Sequence, residues 1–295
     1  MRKTTGRTQI RQHSAGQRRA HCFWLAVCST SLLIAGPCPA ETLPLWELGV
    51  GPGAVRFSDY PGSNTYRNYL VPVPYIRYRG KILRSDRDGM RGILLDKPRA
   101  SLNISLWAAV PARGAQDSAR AGMPNLNALV EIGPSLDLHI WRSEANNMQL
   151  DLRLPARVAL TVASPPRDVG LVAAPHINLD IRNLGGTPGW NLGMLAGPLF
   201  ATQRYTRYYY AVSPAYATAQ RPVYDPAAGY AGTEFTMALS KRFRTVWVGA
   251  FLRYDSLSGA AFINSPLMRS HFDVSGGVGI AWIFWQSARG VEAAE

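Results

Sequence analysis

The strongest constraint on this chain is an alternation of polar and apolar residues that runs too long for a soluble sheet. Between residues 129 and 162, Val130, Ile132, Leu136, Leu138 and Ile140 alternate with Glu131, Ser135, Asp137, His139 and Trp141. After a break at "SEAN", Met148, Leu150, Leu152 and Leu154 alternate with Gln149, Asp151 and Arg153. Successive side chains of a strand point to opposite faces, so period two gathers all the apolar residues on one face. The pattern returns in "SLNISLWAAV" (101–110), "DVGLVAAPHINLDIRN" (168–183) and "FDVSGGVGIAWIF" (272–284). Strands of soluble proteins peak near about 5–6 residues, whereas a tilted strand crosses a bilayer in about 9–11. Runs of about 14 with one greasy and one charged face fit a closed sheet, apolar side to lipid and polar side to a lumen, with no free edge.

The pattern predicts an all-β, transmembrane, antiparallel up-and-down barrel. Candidate strands are 45–57, 68–78, 81–86, 90–96, 99–110, 128–141, 147–162, 168–182, 188–201, 229–240, 244–255 and 271–284. That is twelve strands; ten is the alternative if 81–96 does not form two. The short links "RG", "DKP", "SEAN", "NLGGTP" and "KRFR" fall on one side. The long links 58–67, 111–127, 202–228 and 256–270 fall on the other. Short periplasmic turns and long extracellular loops are the habit of bacterial barrels. Trp46, Tyr75, Tyr78, Trp107, Trp141, Trp190, Phe251, Tyr254, Trp282 and Phe284 sit mostly near strand ends, where interfacial girdles belong. Ordinary strand packing is the alternative for them.

The first 40 residues do not read as fold. Arg2, Lys3, Arg7, Arg11, Arg18 and Arg19 precede "CFWLAVCSTSLLIAG" and "PCPA". This is the layout of a secretory signal peptide cut between Ala40 and Glu41. Its removal takes six of the 32 basic residues and leaves 26 against 19 acidic ones, a formal +7 instead of +13. It also takes all three cysteines, Cys22, Cys28 and Cys38. Only four residues are lysine and the arginines are scattered, which points away from nucleic acid and toward anionic lipid headgroups. The expected division is a signal at 1–40, a barrel at 41–284 and a short tail at 285–295.

The inward polar residues are the candidates for catalytic chemistry. Asp137 with His139, and His176 with Asp180, share strand faces, and Ser135 is the inward serine nearby. A nucleophile must lie within hydrogen-bond reach of its base. Residues two apart on one strand stand about 7 Å apart. A lumen network of paired charges accounts for the same residues, which sets them against an outer-membrane hydrolase. His139 and His176 could be metal ligands but sit in no tight motif, and no cofactor is expected. Trp141, Ile283 and Arg153, read as inward, suggest a filled lumen rather than an open channel. The tyrosine-rich segment 203–230 offers Tyr205, Tyr208, Tyr209, Tyr210, Tyr216 and Tyr224 either as a recognition surface or as a loop packed over the barrel mouth.

Several motifs, in order, resemble the MipA/OmpV outer-membrane proteins. They are "ELGVGPGAVRFSDYPGSNTYRNYLVPVPYIRYRG" (47–80), "LVEIGPSLDL" (129–138), "YYYAVSP" (208–214), "YDPAAGY" (224–230), "INSPL" (263–267) and "GVGIAWIF" (277–284). The resemblance implies a barrel in the outer membrane of a Gram-negative bacterium, in contact with lipid and lipopolysaccharide and without catalytic residues. It implies a scaffold joining a lytic murein transglycosylase to a penicillin-binding protein that synthesises murein. A passive channel and a surface adhesion or stress-response barrel stay open. The terminal strand, with Ile280, Trp282 and Phe284, would be the signal read by assembly machinery. In such chains that strand ends the protein; here "WQSARGVEAAE" follows Phe284.

Overall fold

The computed structural model describes residues 42–80, 83–86, 89–109, 118–143, 145 and 147–292. The expected cleavage site at Ala40–Glu41 lies outside the described residues. Twelve strands form the wall: β1 (Trp46–Ser58), β2 (Tyr66–Arg79), β3 (Leu83–Asp86), β4 (Gly89–Lys97), β5 (Ala100–Ala109) and β6 (Leu129–Arg142), then β7 (Met148–Thr161), β8, β9 (Trp190–Ala201), β10 (Gly229–Arg242), β11 (Val246–Ser256) and β12 (Phe272–Gln286). Strand β8 is split into Asp168–Ala173 and His176–Arg182. Pro175 stands in the break, where a residue without an N–H cannot carry the ladder. Every neighbour pair is antiparallel, spatial order follows chain order, and β12 pairs with β1 to close the ring.

Facing follows the alternation. Ile132, Leu136, Ile140 and Leu154 are exposed on the outer surface, while Glu131, Ser135, Asp137, Asp151 and Arg153 are buried toward the axis. A soluble protein hides the first set and wets the second. This inside-out arrangement is the mark of a wall surrounded by lipid. Strands β6 and β7 have 14 residues each, so about four project beyond a bilayer core. Among the described residues no helix is long and apolar enough to cross a membrane.

Three details depart from the simple pattern. The ladder between β6 and β7 shifts at His139/Trp141, so Trp141 is 49% exposed on the outside and not inward as its parity suggested. A second shift at Ile283/Trp285 turns both Phe284 and Trp285 outward beside Ile280 and Trp282. Tyr75, Trp107 and Phe251 leave the expected girdle: Tyr75 is buried against Ala281 and Ile283, and the other two line the lumen. Strand β12 also outruns the expected boundary at 284. Beyond it, Gly290–Glu292 returns to pair antiparallel with Thr42–Pro44, so the tail meets the start of the barrel.

The seam between β12 and β1 is lined by glycine for a steric reason. A Cβ on Gly51 would stand 2.1 Å from the carbonyl oxygen of Ile280, which is backbone and cannot move aside. Gly51→Ala should therefore keep the last strand from closing on the first. We expect a sharp loss of folded, heat-modifiable barrel on gels after refolding, with unfolded chain produced in normal amount. Normal folded yield would mean that the seam tolerates a wider spacing than its contacts imply.

Candidate functional site: a capped and charged lumen

The lumen begins with strand parity. Polar or charged residues take many of the inward positions of β5 to β11, beside apolar Trp107, Leu195 and Phe251, and they pair both within a strand and across to its neighbours. Arg153 of β7 approaches Asp151 at 3.4 Å, Asp180 of β8 at 3.6 Å and Asp137 of β6 at 4.0 Å. Arg157 lies 3.4 Å from Glu131. Arg253 of β11 meets Glu234 at 2.9 Å and Asp255 at 2.8 Å. Asn103 and Asn178 donate to Asp137 and Asp180, both at 2.8 Å. Buried charge is tolerated when it is paired and hydrogen-bonded in this way.

The other half of the wall is different. Inward mid-strand positions of β1, β2 and β12 are Gly51, Gly53, Val55, Val71, Val73, Gly277 and Gly279, while Glu47, Ser275 and Asp273, nearer the strand ends, are buried and polar. The two halves enclose one cavity of about 560 Å³, lined by Val55, Val73 and Phe251 on one side and by Glu131, Arg157 and Arg253 on the other. The guanidinium of Arg253 stands 5.7 Å from the ring centroid of Trp107.

The residues proposed for hydrolysis are brought into the lumen but given other partners. The Ser135 hydroxyl donates to Asp137 Oδ1 at 2.6 Å. His139 Nδ1 is 2.9 Å from Asp151 Oδ1, and His176 Nδ1 is 2.8 Å from the carbonyl of Ala174. Among the described residues, no group of three or more His, Cys, Asp or Glu side chains is placed to hold a metal.

Both ends of the lumen are obstructed. At the turn end Glu47 is fully buried and joins Arg79 at 2.9 Å, Arg242, and the Tyr75 hydroxyl at 3.3 Å. At the loop end the long connections build a core of their own. It contains Tyr60, Met123, Leu126, Tyr209, Tyr210, Phe262 and Leu267, all buried. The segment 203–230 carries a helix, α1 (Gln203–Tyr210), and its tyrosines face into this core. Tyr210 stacks on Phe262 with centroids 3.7 Å apart and donates to the carbonyl of Pro61 at 2.9 Å. Tyr205 reaches down to Glu131 at 3.1 Å and so ties the cap to the lumen. Tyr208 donates to the carbonyl of Asn127 at 2.8 Å, and Tyr216 and Tyr224 pack partly buried on the same cluster.

Two arginines that the sequence did not single out hold the cap together. Arg120 is 4% exposed and donates to the carbonyl of Tyr209 at 2.7 Å. Arg221 donates to the carbonyls of Ala119 and Ala121 at 3.0 and 2.9 Å, and to that of Tyr216. Their partners lie up to 102 residues away along the chain, so no local motif marks them.

Burial pushes the phenols of Tyr205, Tyr209 and Tyr210 above the ordinary tyrosine value; neighbouring phenols add to each shift, and Glu131 adds to those of Tyr205 and Tyr209. The folded cap thus keeps protons that a free phenol releases near about pH 10. Its stability is intact below that pH and is lost as the pH rises past it, because ionisation favours the undocked loop. Phenolate absorbance should rise in a first step near the ordinary value and in a second, cooperative step above it. A single step would contradict the burial of α1.

A closed antiparallel ring with an apolar outer band and a charged, capped lumen defines an outer-membrane β-barrel protein of a Gram-negative bacterium. A family model described as MltA-interacting protein MipA matches residues 50–284, and the chain belongs to the MipA family. A search of curated proteins found no match. Among solved structures, the chain is similar to the NanC porin, at 8% identity and a TM-score of 0.38 over 79% of this chain and 98% of that one. It is similar to outer membrane phospholipase A from Escherichia coli, at 13% identity and a TM-score of 0.33 over 84% and 94%. The outer membrane protease OmpT from Escherichia coli gives 10% identity and a TM-score of 0.27 over 83% and 98%.

Proposed function

We propose that this barrel is a non-enzymatic scaffold of the outer membrane that binds a lytic murein transglycosylase and, with it, a murein-synthesising penicillin-binding protein. The observation that carries the reading is the family match, whose printed description is an MltA-interacting protein, across residues 50–284. The lumen supports it. Ser135 is hydrogen-bonded to a carboxylate and not to a histidine, and the inward charges are spent on one another. Both ends are stopped by packed side chains, which suits a protein that acts through its surface. Lipid and lipopolysaccharide would surround the outward apolar face. Terminal-strand residues Ile280, Trp282 and Phe284, exposed on that face, would be read by the assembly machinery. The tyrosine segment would then serve recognition through its outer rim, where Val223 is 56% exposed, with its tyrosines as the support beneath.

The test uses the mature barrel refolded in detergent and immobilised. Solubilised envelope proteins of the same cell are passed over it and over a control barrel. We expect a murein transglycosylase in the specific eluate. A clean eluate combined with single-channel conductance would favour a pore instead. Such a pore would select cations, because among the described lumen residues Glu131, Asp137, Asp151, Asp180, Glu234 and Asp255 outnumber Arg153, Arg157 and Arg253.

A further inference from the structure

The lipid-facing surface carries a notch near its loop end. Ladder registers place Leu252 of β11 beside Gly276 of β12, Gly276 beside Arg56 of β1, and Arg56 beside Asn68 of β2. Strand parity turns all four outward, so they form one row across the outer face. Glycine leaves the second place of this row without a side chain. The result is a groove of about 460 Å³, lined by apolar Leu252, Phe272 and Val274 from β11 and β12 and by Arg56 and Tyr66 from β1 and β2. Tyr254 and Phe272 stack on its far side, with centroids 6.2 Å apart. Strand closure does not demand the notch. A Cβ at Gly276 would meet the carbonyl oxygen of Phe251 at 3.0 Å and Leu252 Cδ1 at 3.6 Å, whereas one at Gly51 would stand 2.1 Å from backbone.

Depth and charge decide what fills the groove. Strand β1 has 13 residues, of which about 9–11 span the hydrocarbon, and Arg56 is the third from its loop end. Arg56 thus stands at the boundary between hydrocarbon and headgroups, where arginine on the lipid face is tolerated. Its guanidinium lies 5.0 Å from the ring centroid of Tyr66 and donates to Asn68 Oδ1 at 3.4 Å. The inward Arg153, Arg157 and Arg253 all hold carboxylates. Arg56 is held by two neutral groups, and among the described residues no carboxylate pairs with it. Tyr66 belongs to β2, yet its hydroxyl accepts from the Val274 N–H of β12 at 3.5 Å. Its ring therefore lies across β1 and walls one end of the groove.

We propose that this groove binds an anionic, phosphate-bearing lipid of the outer leaflet. One acyl chain lies over Gly276, against Leu252 and Val274. The phosphate meets Arg56, whose planar fork matches two phosphate oxygens. Long loops mark the extracellular end of such barrels, which assigns the groove to that leaflet. An unneutralised cation beside an apolar groove complements a molecule with an anionic head and a hydrocarbon tail. It does not complement a second copy, since a two-fold contact centred here would set Arg56 against Arg56. The inference is independent of the scaffold reading.

The probe is diphosphoryl lipid A, titrated against the full mature barrel in neutral detergent and counted by native mass spectrometry. We expect one lipid to bind saturably per barrel. Arg56→Gln removes the charge and Gly276→Leu fills the groove. Each should weaken binding about tenfold, equivalent to about 1.4 kcal/mol. Arg244→Gln, at the turn end, should leave it unchanged. Millimolar inorganic phosphate should not displace the lipid, and phosphatidylcholine should bind more weakly and without saturation. Folding of each variant is checked by heat-modifiable mobility, and either suffices if the other does not fold. Lipid A binding that a folded variant leaves unchanged overturns the proposal. So does an equal loss in Arg244→Gln, or phosphatidylcholine saturating the site equally well. Displacement by inorganic phosphate would make this a free-anion site, and a dimer mass abolished by Gly276→Leu would make it a contact between copies; each also overturns the proposal.

Discussion

Glu47→Leu should lower the unfolding free energy of the barrel in lipid vesicles by about 3 kcal/mol. The carboxylate has no solvent exposure and holds two guanidiniums, one from the end of β2 and one from the end of β10. Removing it leaves Arg79 and Arg242 facing each other with no counter-charge. Breaking a buried pair from one side costs about 3–5 kcal/mol, because the remaining charge stays desolvated. The lower end applies here, since the arginine side chains are 19% and 30% exposed and can recruit water. Glu47→Gln keeps the acceptor for Tyr75 and Arg79 and should lose less. Urea titration followed by tryptophan fluorescence reads both variants. The argument also ties stability to closure, because Glu47, Tyr75, Ile283 and Trp247 together fill the turn end of the lumen. An unshifted urea midpoint for Glu47→Leu would mean that the two arginines are already solvated in the folded state.

Strand existence and facing were legible because alternation is enforced twice, by lipid outside and by charge inside. Ile132, Leu136 and Leu154 could sit on no other face than the one they occupy. Even the doubtful pair at 81–96 forms, as β3 and β4, so the ring has twelve strands. Trp141 was misplaced because a one-residue ladder shift reverses every side chain beyond it, and nothing in "DLHIWR" announces the shift. Trp107 and Phe251 were assigned to the girdle on residue type, whereas their parity already placed them inside with Ser105 and Arg253. The cap was illegible for another reason. Its core joins Tyr60, Leu126, Tyr210 and Leu267, which belong to separate loops with no shared period. The tyrosine segment therefore reads in sequence as surface or as packing, and in the fold Tyr210 stacks on Phe262.

Leu136→Arg should cost about 2–4 kcal/mol, the range for arginine on the lipid face at the bilayer midplane. The residue lies at the centre of β6, pairs across to Leu102 and Leu154, and is 39% exposed on the outer surface. Arginine there has hydrocarbon on every side, and its head must snorkel roughly half the membrane thickness or draw water inward. Trp141→Arg is the comparison that makes the result informative. It stands near the end of the same strand, outward because of the ladder shift, where the interfacial cost of arginine is about 0–1 kcal/mol. Urea unfolding in vesicles should therefore rank the two by depth and not by hydrophobicity, although tryptophan is the larger side chain lost. Equal costs would mean that the outer face of β6 is not held in lipid. A larger cost at 141 would return Trp141 to the lumen and remove the shift at His139.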